Sequence, residues 1–253
     1  MDYERKAREE IAAWERRLFK PPGWLERTSK TIGTGMNRLI PSKVQDVITT
    51  TIKSIVRTAL FGAEYTPKRP VQRVRDLELN DREAQRVFSL YQKIAVAEGA
   101  GTGAGGILLN VADFPALIAI KMKYLFELAH NYGYDTKSFS ERVFILKVFQ
   151  LTFSGPEQRA KLLNTVKNWD SEKNRWSSDG DYAKSMDWET FQKEYRDAID
   201  FRKLLQMVPG IGAVAGAWAN YTILEELGQT ATNAYRLRRL NEAAPRGKPA
   251  AET

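Results

Sequence analysis

The chain has 253 residues, 43% of them hydrophobic and 28% charged, and its 39 Lys and Arg against 31 Asp and Glu leave a formal net charge of +8. This length and apolar content suffice for a large core in one domain, and the absence of cysteine excludes disulfides, thiolate nucleophiles and cysteine-ligated metals while fitting a reducing compartment. The densely charged opening from Met1 to Glu10 runs into no apolar segment, so no secretory signal or amino-terminal anchor is expected and the protein is placed in the cytoplasm.

Tyr3, Ala7, Ile11, Trp14 and Leu18 recur at spacings of four and three between charges. That periodicity predicts an amphipathic docking helix over residues 1–20, ended by Pro21-Pro22-Gly23. A second helical stretch is read from Trp24 to Ile40. Pro41-Ser42 opens a third, in which Val44, Val47, Ile48, Thr51, Ile52, Ile55 and Ala59 form one face before Gly62. Its β-branched residues lower intrinsic helicity, so packing must hold it. Residues 62–80, with Pro67 and Pro70, read as a connector, and Asp81 is placed as the cap of a helix reaching Glu98.

Asp113-Phe114-Pro115 reads as the next helix start, with Asp113 as cap and Pro115 in the first turn, where a missing N–H costs little. That helix is expected to run to Asn131, with Gly133 as its C′ residue. Ser138 with Glu141 and Ser154 with Glu157 match the capping-box spacing ahead of helices over 141–153 and 157–170. Residues 171–183 read as a polar loop and 187–207 as a long amphipathic helix. The segment from Gly210 continues as a helix to Asn241, and 243–253 reads as a disordered tail. No stretch alternates at period two. The expected fold class is therefore all-α: one multi-helix domain over 1–242, with two central glycine-rich helices packed closely together.

Those two runs, Gly99 to Gly106 and Gly210 to Gly216, are the most unusual feature of the chain. Gly101 to Gly106 satisfies G-x-G-x-x-G, but the preceding residues 81–98 read as a charged helix where a dinucleotide fold needs a buried strand, and no P-loop lysine follows. Two readings remain open. In one, the segments touch a membrane: Gly99 to Ile120 holds Asp113 as its only formal charge, Met207 to Leu224 holds none, and Gly99/Gly103, Gly101/Gly105 and Gly212/Gly216 are small-xxx-small pairs. Asp113 and Pro115 in mid-segment, and basic residues at both flanks (Lys93 and Lys121/Lys123 around the first), favour surface attachment over a fixed span. In the other, the same glycines let two helices cross closely in a soluble core, with Asn110, Asp113 and Asn220 hydrogen-bonding across the crossing. Each helical glycine costs about 1 kcal/mol relative to alanine, so either use asks for a compensating close approach. Basic clusters at Arg5/Lys6/Arg8, Arg16/Arg17/Lys20, Lys68/Arg69/Arg73/Arg75 and Arg236/Arg238/Arg239 suit anionic lipid at roughly 1 kcal/mol per cation held near the surface. By sign alone they also admit nucleic acid.

The run from Gly99 through Leu117, followed by Ala129-His-Asn-Tyr-Gly-Tyr-Asp135, resembles the central signature of the EcsC-like family of bacterial proteins. Val208 to Gly216, Asn220 and Gly228-Gln-Thr-Ala231 resemble its carboxy-terminal signature. The likeness extends from the Trp-containing first helix to about Arg239. The family takes its name from a protein encoded beside an ABC transporter, so the resemblance implies an association with membranes or transport; it carries over no catalytic residues and no cofactor.

His130 is the only histidine, which excludes a His-rich metal site, and its place before Asn131 and Gly133 suits a capping or interface role better than general-base catalysis. Asp135, Ser138 and Ser140 are near it in sequence, but no Gly-x-Ser-x-Gly is present. Asp113, flanked by apolar residues that would raise its pKa if buried, is the best single carboxylate. Of the six tryptophans, Trp176 and Trp188 are the foremost candidates for a membrane interface, and Trp14, Trp24, Trp169 and Trp218 default to packing.

The reading is a non-catalytic accessory or adaptor protein attached peripherally to the cytoplasmic membrane. Its expected partners are an anionic membrane surface and a membrane transporter or other protein, without nucleic acid, metal or cofactor. The candidate residues are Gly99, Gly101, Gly103, Gly105, Asn110, Asp113, Gly212, Gly216 and Asn220, with His130 beside them. The alternatives are a soluble protein whose glycine-lined crossing encloses a lipid or other apolar ligand, and a hydrolase using His130 or Asp113.

Overall fold

Helix-spaced apolar residues account for the elements that form. The computed structural model describes residues 2–20, 42–71, 76–101, 107–176, 190–191 and 213–243. They form helices α1 (Asp2–Leu18), α2 (Ser42–Phe61), α3 (Leu77–Gly101), α4 (Ile107–Asn131), α5 (Phe139–Phe153), α6 (Pro156–Lys167), α7 (Trp169–Glu172) and α8 (Ala213–Ala243), with a 3-10 turn over Lys173–Trp176. No β-strand occurs among the described residues, and the helices make one all-α domain. The expected helix over 24–40, most of that over 187–207 and nearly all of the expected tail fall outside the described residues.

Helix α1 buries Ala7, Ile11 and Trp14, and it docks on the chain's own α8 and α3. An arginine secures its carboxy-terminal end, where unpaired carbonyls favour a cation: Arg159 Nη1 donates to the Leu18 carbonyl at 2.8 Å. Helix α2 has the same device, Arg142 Nη1 on the Leu60 carbonyl at 2.9 Å. It buries Ile48, Ile52, Ile55, Val56 and Ala59 against α4 and α5, the tertiary support its β-branched composition requires.

Three expected helix starts are corrected. Helix α3 begins at Leu77, so Asp81 lies inside it and is no cap. Helix α4 begins at Ile107 and carries Pro115 internally, so Asp113 is not a cap either. An internal proline forfeits one backbone hydrogen bond and costs about 3 kcal/mol; the burial of Leu117, Ile118, Met122, Tyr124, Leu125 and Phe126 further along the same helix outweighs it. Helix α6 is capped by Gly155 with Pro156 in its first turn, whereas Ser154 closes α5, its Oγ donating to the Leu151 carbonyl at 3.1 Å. Ser138 does sit at the α5 N-cap, but its side chain makes no capping bond. The first part of the expected polar loop, up to Trp176, is instead α7 and the 3-10 turn, gathered around buried Trp169, whose ring lies 5.1 Å from that of Phe144.

The end of α4 is as expected. Gly133 has φ 92°, its N–H donates to the His130 carbonyl and that of Tyr134 to the Ala129 carbonyl, both at 3.1 Å. This is a Schellman closure with glycine at C′, the position where a Cβ is strained.

Long-range side-chain contacts set the helix directions. At the start of α3, Asn80 and Asp81 meet Asn131 and Tyr132 at the end of α4 and Arg236 near the end of α8. Halfway along, the Phe88 ring lies 6.1 Å from that of Tyr124 and against Gly228. A Cβ on Gly228 would come within 2.9 Å of the Phe88 ring. Helix α3 therefore runs antiparallel to both α4 and α8. The close approach seen among the described residues uses Gly228, which belongs to neither glycine-rich run.

Candidate functional site

Two ends of this bundle differ in chemistry. At one end lies a buried ionic cluster joining four segments distant in sequence. Asp81 accepts hydrogen bonds from the Tyr3 hydroxyl at 2.7 Å, the Tyr132 hydroxyl, and Arg236 Nε at 2.9 Å. Arg236 also donates through Nη1 to Glu10 at 2.7 Å. Asn131 Nδ2 donates to the Asn80 carbonyl at 2.8 Å, so the same end of α4 is tied to α3 twice. Burial, then the Asp81 bond and charge, pushes the Tyr3 phenol up to about 12. For Arg236, burial alone favours the neutral form; the Asp81 charge, with Tyr132 and Glu10, more than reverses this and keeps the guanidinium ionised.

A second cluster lies two residues along α8. Arg238 grips Glu141 with two bonds of 2.6 and 2.7 Å, and its guanidinium stacks 3.7 Å from the Tyr134 ring centroid and 4.4 Å from that of Phe144. Tyr235 is stacked between Tyr132 and Tyr134, with both centroid distances 5.4 Å. Two readings change accordingly. Glu141 is drawn away from the capping box by this bidentate pair. The Arg236/Arg238/Arg239 cluster is also no basic surface, because its side chains are held inside the bundle by Asp81, Glu10, Glu141 and Glu242.

The opposite end carries the described residues of the glycine-rich runs. Gly99 and Gly101 are on the last turns of α3, Asn110 and Asp113 near the start of α4, and Gly216 and Asn220 near the start of α8. Gly103, Gly105 and Gly212 lie outside the described residues, as do the surroundings of the other six. Because α3 is antiparallel to α4 and α8, the end of α3 and the starts of α4 and α8 converge at one pole, away from the Asp81 cluster.

His130 is 2% exposed. Neither ring nitrogen meets a hydrogen-bond partner among the described residues, so the ring does not cap the helix end. Asp135 accepts from the Lys137 backbone N–H at 2.9 Å, and the Ser138 and Ser140 hydroxyls bond each other at 2.9 Å; no hydrogen bond joins them to His130. Lys121, expected among the basic flanks of the apolar stretch, is 1% exposed. Its Nζ reaches the Leu117 carbonyl at 3.5 Å, and burial lowers it to about 8. Trp14 and Trp169 are buried, while Trp176 packs on Phe191 with ring centroids 6.3 Å apart. Among the described residues, no group of three or more His, Asp or Glu is placed to hold a metal, and no helix is long and apolar enough to cross a membrane.

The model of the EcsC protein family matches residues 5–240. The chain belongs to the EcsC family. It is 42% identical over 236 residues to Protein EcsC of Bacillus subtilis (strain 168), covering 93% of this chain and 96% of that protein. It is 28% identical over 252 residues to Uncharacterized protein YdbA of the same strain, covering 92% and 91% respectively. No solved structure matches. The EcsC match takes in both glycine-rich runs and all of Glu10, Asp81, Glu141, Arg236 and Arg238. None of these five was legible as a site from local sequence, since their partners are up to 226 positions away.

Proposed function

We propose that this EcsC-family protein is a non-catalytic accessory protein that attaches peripherally to the cytoplasmic face of an anionic membrane. The observation that carries the reading is the convergence of α3, α4 and α8 at one pole. Gly99 to Gly101, Ile107 to Ala112 and Ala213 to Leu224, the turns of α3, α4 and α8 at that pole, are free of formal charge, while the far end is closed by buried ion pairs. Shallow attachment needs no spanning helix. With a net charge of +8 and about 1 kcal/mol per cation held near an anionic surface, a few Lys and Arg suffice for reversible binding once apolar side chains add to it.

A binding role is favoured over catalysis because the buried carboxylates are already engaged. Asp81 accepts from three donors and Glu141 from two, which leaves them poorly placed to act on a substrate. The adaptor aspect, toward a transporter or other membrane protein, rests on the family resemblance. Co-sedimentation with phosphatidylglycerol-containing vesicles tests the attachment. Binding at low salt that weakens steeply as salt is raised is expected; absence from the vesicle pellet at low salt would refute it.

A further inference from the structure

We infer that α1 is a latch, which leaves its seat on α8 and α3 as one unit while the rest of the bundle stays folded. This motion does not depend on what the protein attaches to. Residues 19–41 separate α1 from α2, and the helix rests on α8 and α3, elements far along the chain. Its apolar hold is short: Ala7, Ile11 and Trp14 are buried, with Tyr3 and Leu18 only partly so. The remaining ties are polar and open to water. Glu10 meets Arg236 at 2.7 Å with its own side chain 44% exposed, and Glu15 meets Lys167 at 2.9 Å with the lysine 42% exposed. Ion pairs of this kind hold weakly and are screened by salt. Trp14 is 3% exposed, and its indole N–H finds no acceptor among the described residues. Undocking therefore returns to that group a hydrogen bond with water that the docked state forgoes.

The bundle beneath keeps its own bonds when α1 departs. Asp81 retains the Tyr132 hydroxyl and Arg236 Nε after losing Tyr3, and Arg236 retains Asp81 after losing Glu10. The Glu141–Arg238 pair and the stack of Tyr132, Tyr235 and Tyr134 contain no residue of α1. Helix α8 is also held by α3, α4 and α5. A segment with few buried apolar side chains, seated on a core that stays satisfied without it, opens at a lower free energy than the whole fold. Release uncovers the Asp81–Arg236 pair together with strips of α8 and α3, and frees the face of Ile11 and Trp14 on the arm. The latch thus changes what the Asp81 end of the protein presents.

Hydrogen exchange of the full chain at neutral pH, read on overlapping peptides by mass spectrometry, tests this. Peptides of α1 are expected to exchange roughly tenfold faster than those of α4, α5 and α8, at one common rate from Tyr3 to Leu18. Raising salt from about 0.1 to about 1 M should speed α1 about threefold more. Tyr3→Phe with Glu10→Gln removes two ties and leaves Asp81–Arg236 intact, so it is expected to speed α1 roughly tenfold with α4, α5 and α8 unchanged. The protein has no cysteine, so Glu15→Cys with Lys167→Cys can be bridged by a bismaleimide, which should slow α1 to the rate of α8. Exchange of α1 in step with α8 in the wild type overturns the latch. So does exchange graded inward from Asp2 that leaves the Trp14 turn as protected as α8. Equal acceleration of α1 and α8 in the double variant, or fast exchange of α1 that persists in the bridged protein, overturns it too.

Discussion

Replacing Lys121 by methionine is expected to stabilise the protein at neutral pH, by an amount that shrinks as pH rises. The ammonium lies inside the fold at 1% exposure, its hydrogen bond among the described residues is a 3.5 Å contact with a carbonyl of its own helix, and burial pulls it from 10.5 to about 8. At about 1.4 kcal/mol per pH unit, holding the cation inside the fold costs on the order of 3 kcal/mol. Methionine has similar length and no charge, so Lys121→Met should gain about 2–3 kcal/mol at pH 7. The folded-state value lies below the unfolded one, so the penalty is complete below pH 8 and fades as pH climbs from about 8 toward 10.5. Wild-type stability should therefore rise over that interval, while the variant lacks this rise. The comparison belongs below pH 10, because burial holds the Tyr3 and Tyr91 phenols near 12, and above pH 10 their ionisation in the unfolded chain begins to oppose folding. Urea unfolding of both proteins between pH 7 and 9.5 measures the gap. A variant less stable than wild type at every pH, or a gap that does not narrow, would show that Lys121 is not an uncompensated buried cation.

Breaking the Glu141–Arg238 pair from one side should cost more than removing both partners. Glu141→Leu leaves a buried guanidinium at a loss of about 3–5 kcal/mol, whereas Glu141→Leu with Arg238→Met should recover at least 1 kcal/mol of that in urea unfolding; equal or additive losses would contradict it. Gly228→Ala places a methyl 2.9 Å from the Phe88 ring and should cost about 1–3 kcal/mol. The same change combined with Phe88→Leu should cost less than the sum of the two, and strict additivity would argue against this contact.

Local pattern reached some of this structure and missed the parts made by distant contacts. The apolar spacing of Tyr3, Ala7, Ile11, Trp14 and Leu18 suffices to place α1, because a helix face is a local property. Gly133 was readable for a similar reason: a glycine just past a helical run is the usual closure. Asp81 was misread because a carboxylate opening a helical pattern resembles a cap, whereas its real partners lie 78, 51 and 155 positions away. Glu141 shows the same conflict, the long-range pair with Arg238 overriding a correctly spaced capping box. Pro115 misled in the other direction, since the proline rule describes an isolated helix and α4 is sustained by its packing. Lys121 looked like a flanking surface cation because sequence alone does not reveal which face of α4 is covered. For the glycine-rich runs, what the structure adds to their composition is the helix directions that bring their neighbouring turns to one pole.

Fractionation of cells expressing the protein tests the membrane attachment most directly. The expected result is recovery with the membranes at low ionic strength and release into the supernatant by an alkaline carbonate wash. Recovery wholly in the soluble fraction at low ionic strength, or retention in the membranes after carbonate, would contradict peripheral attachment.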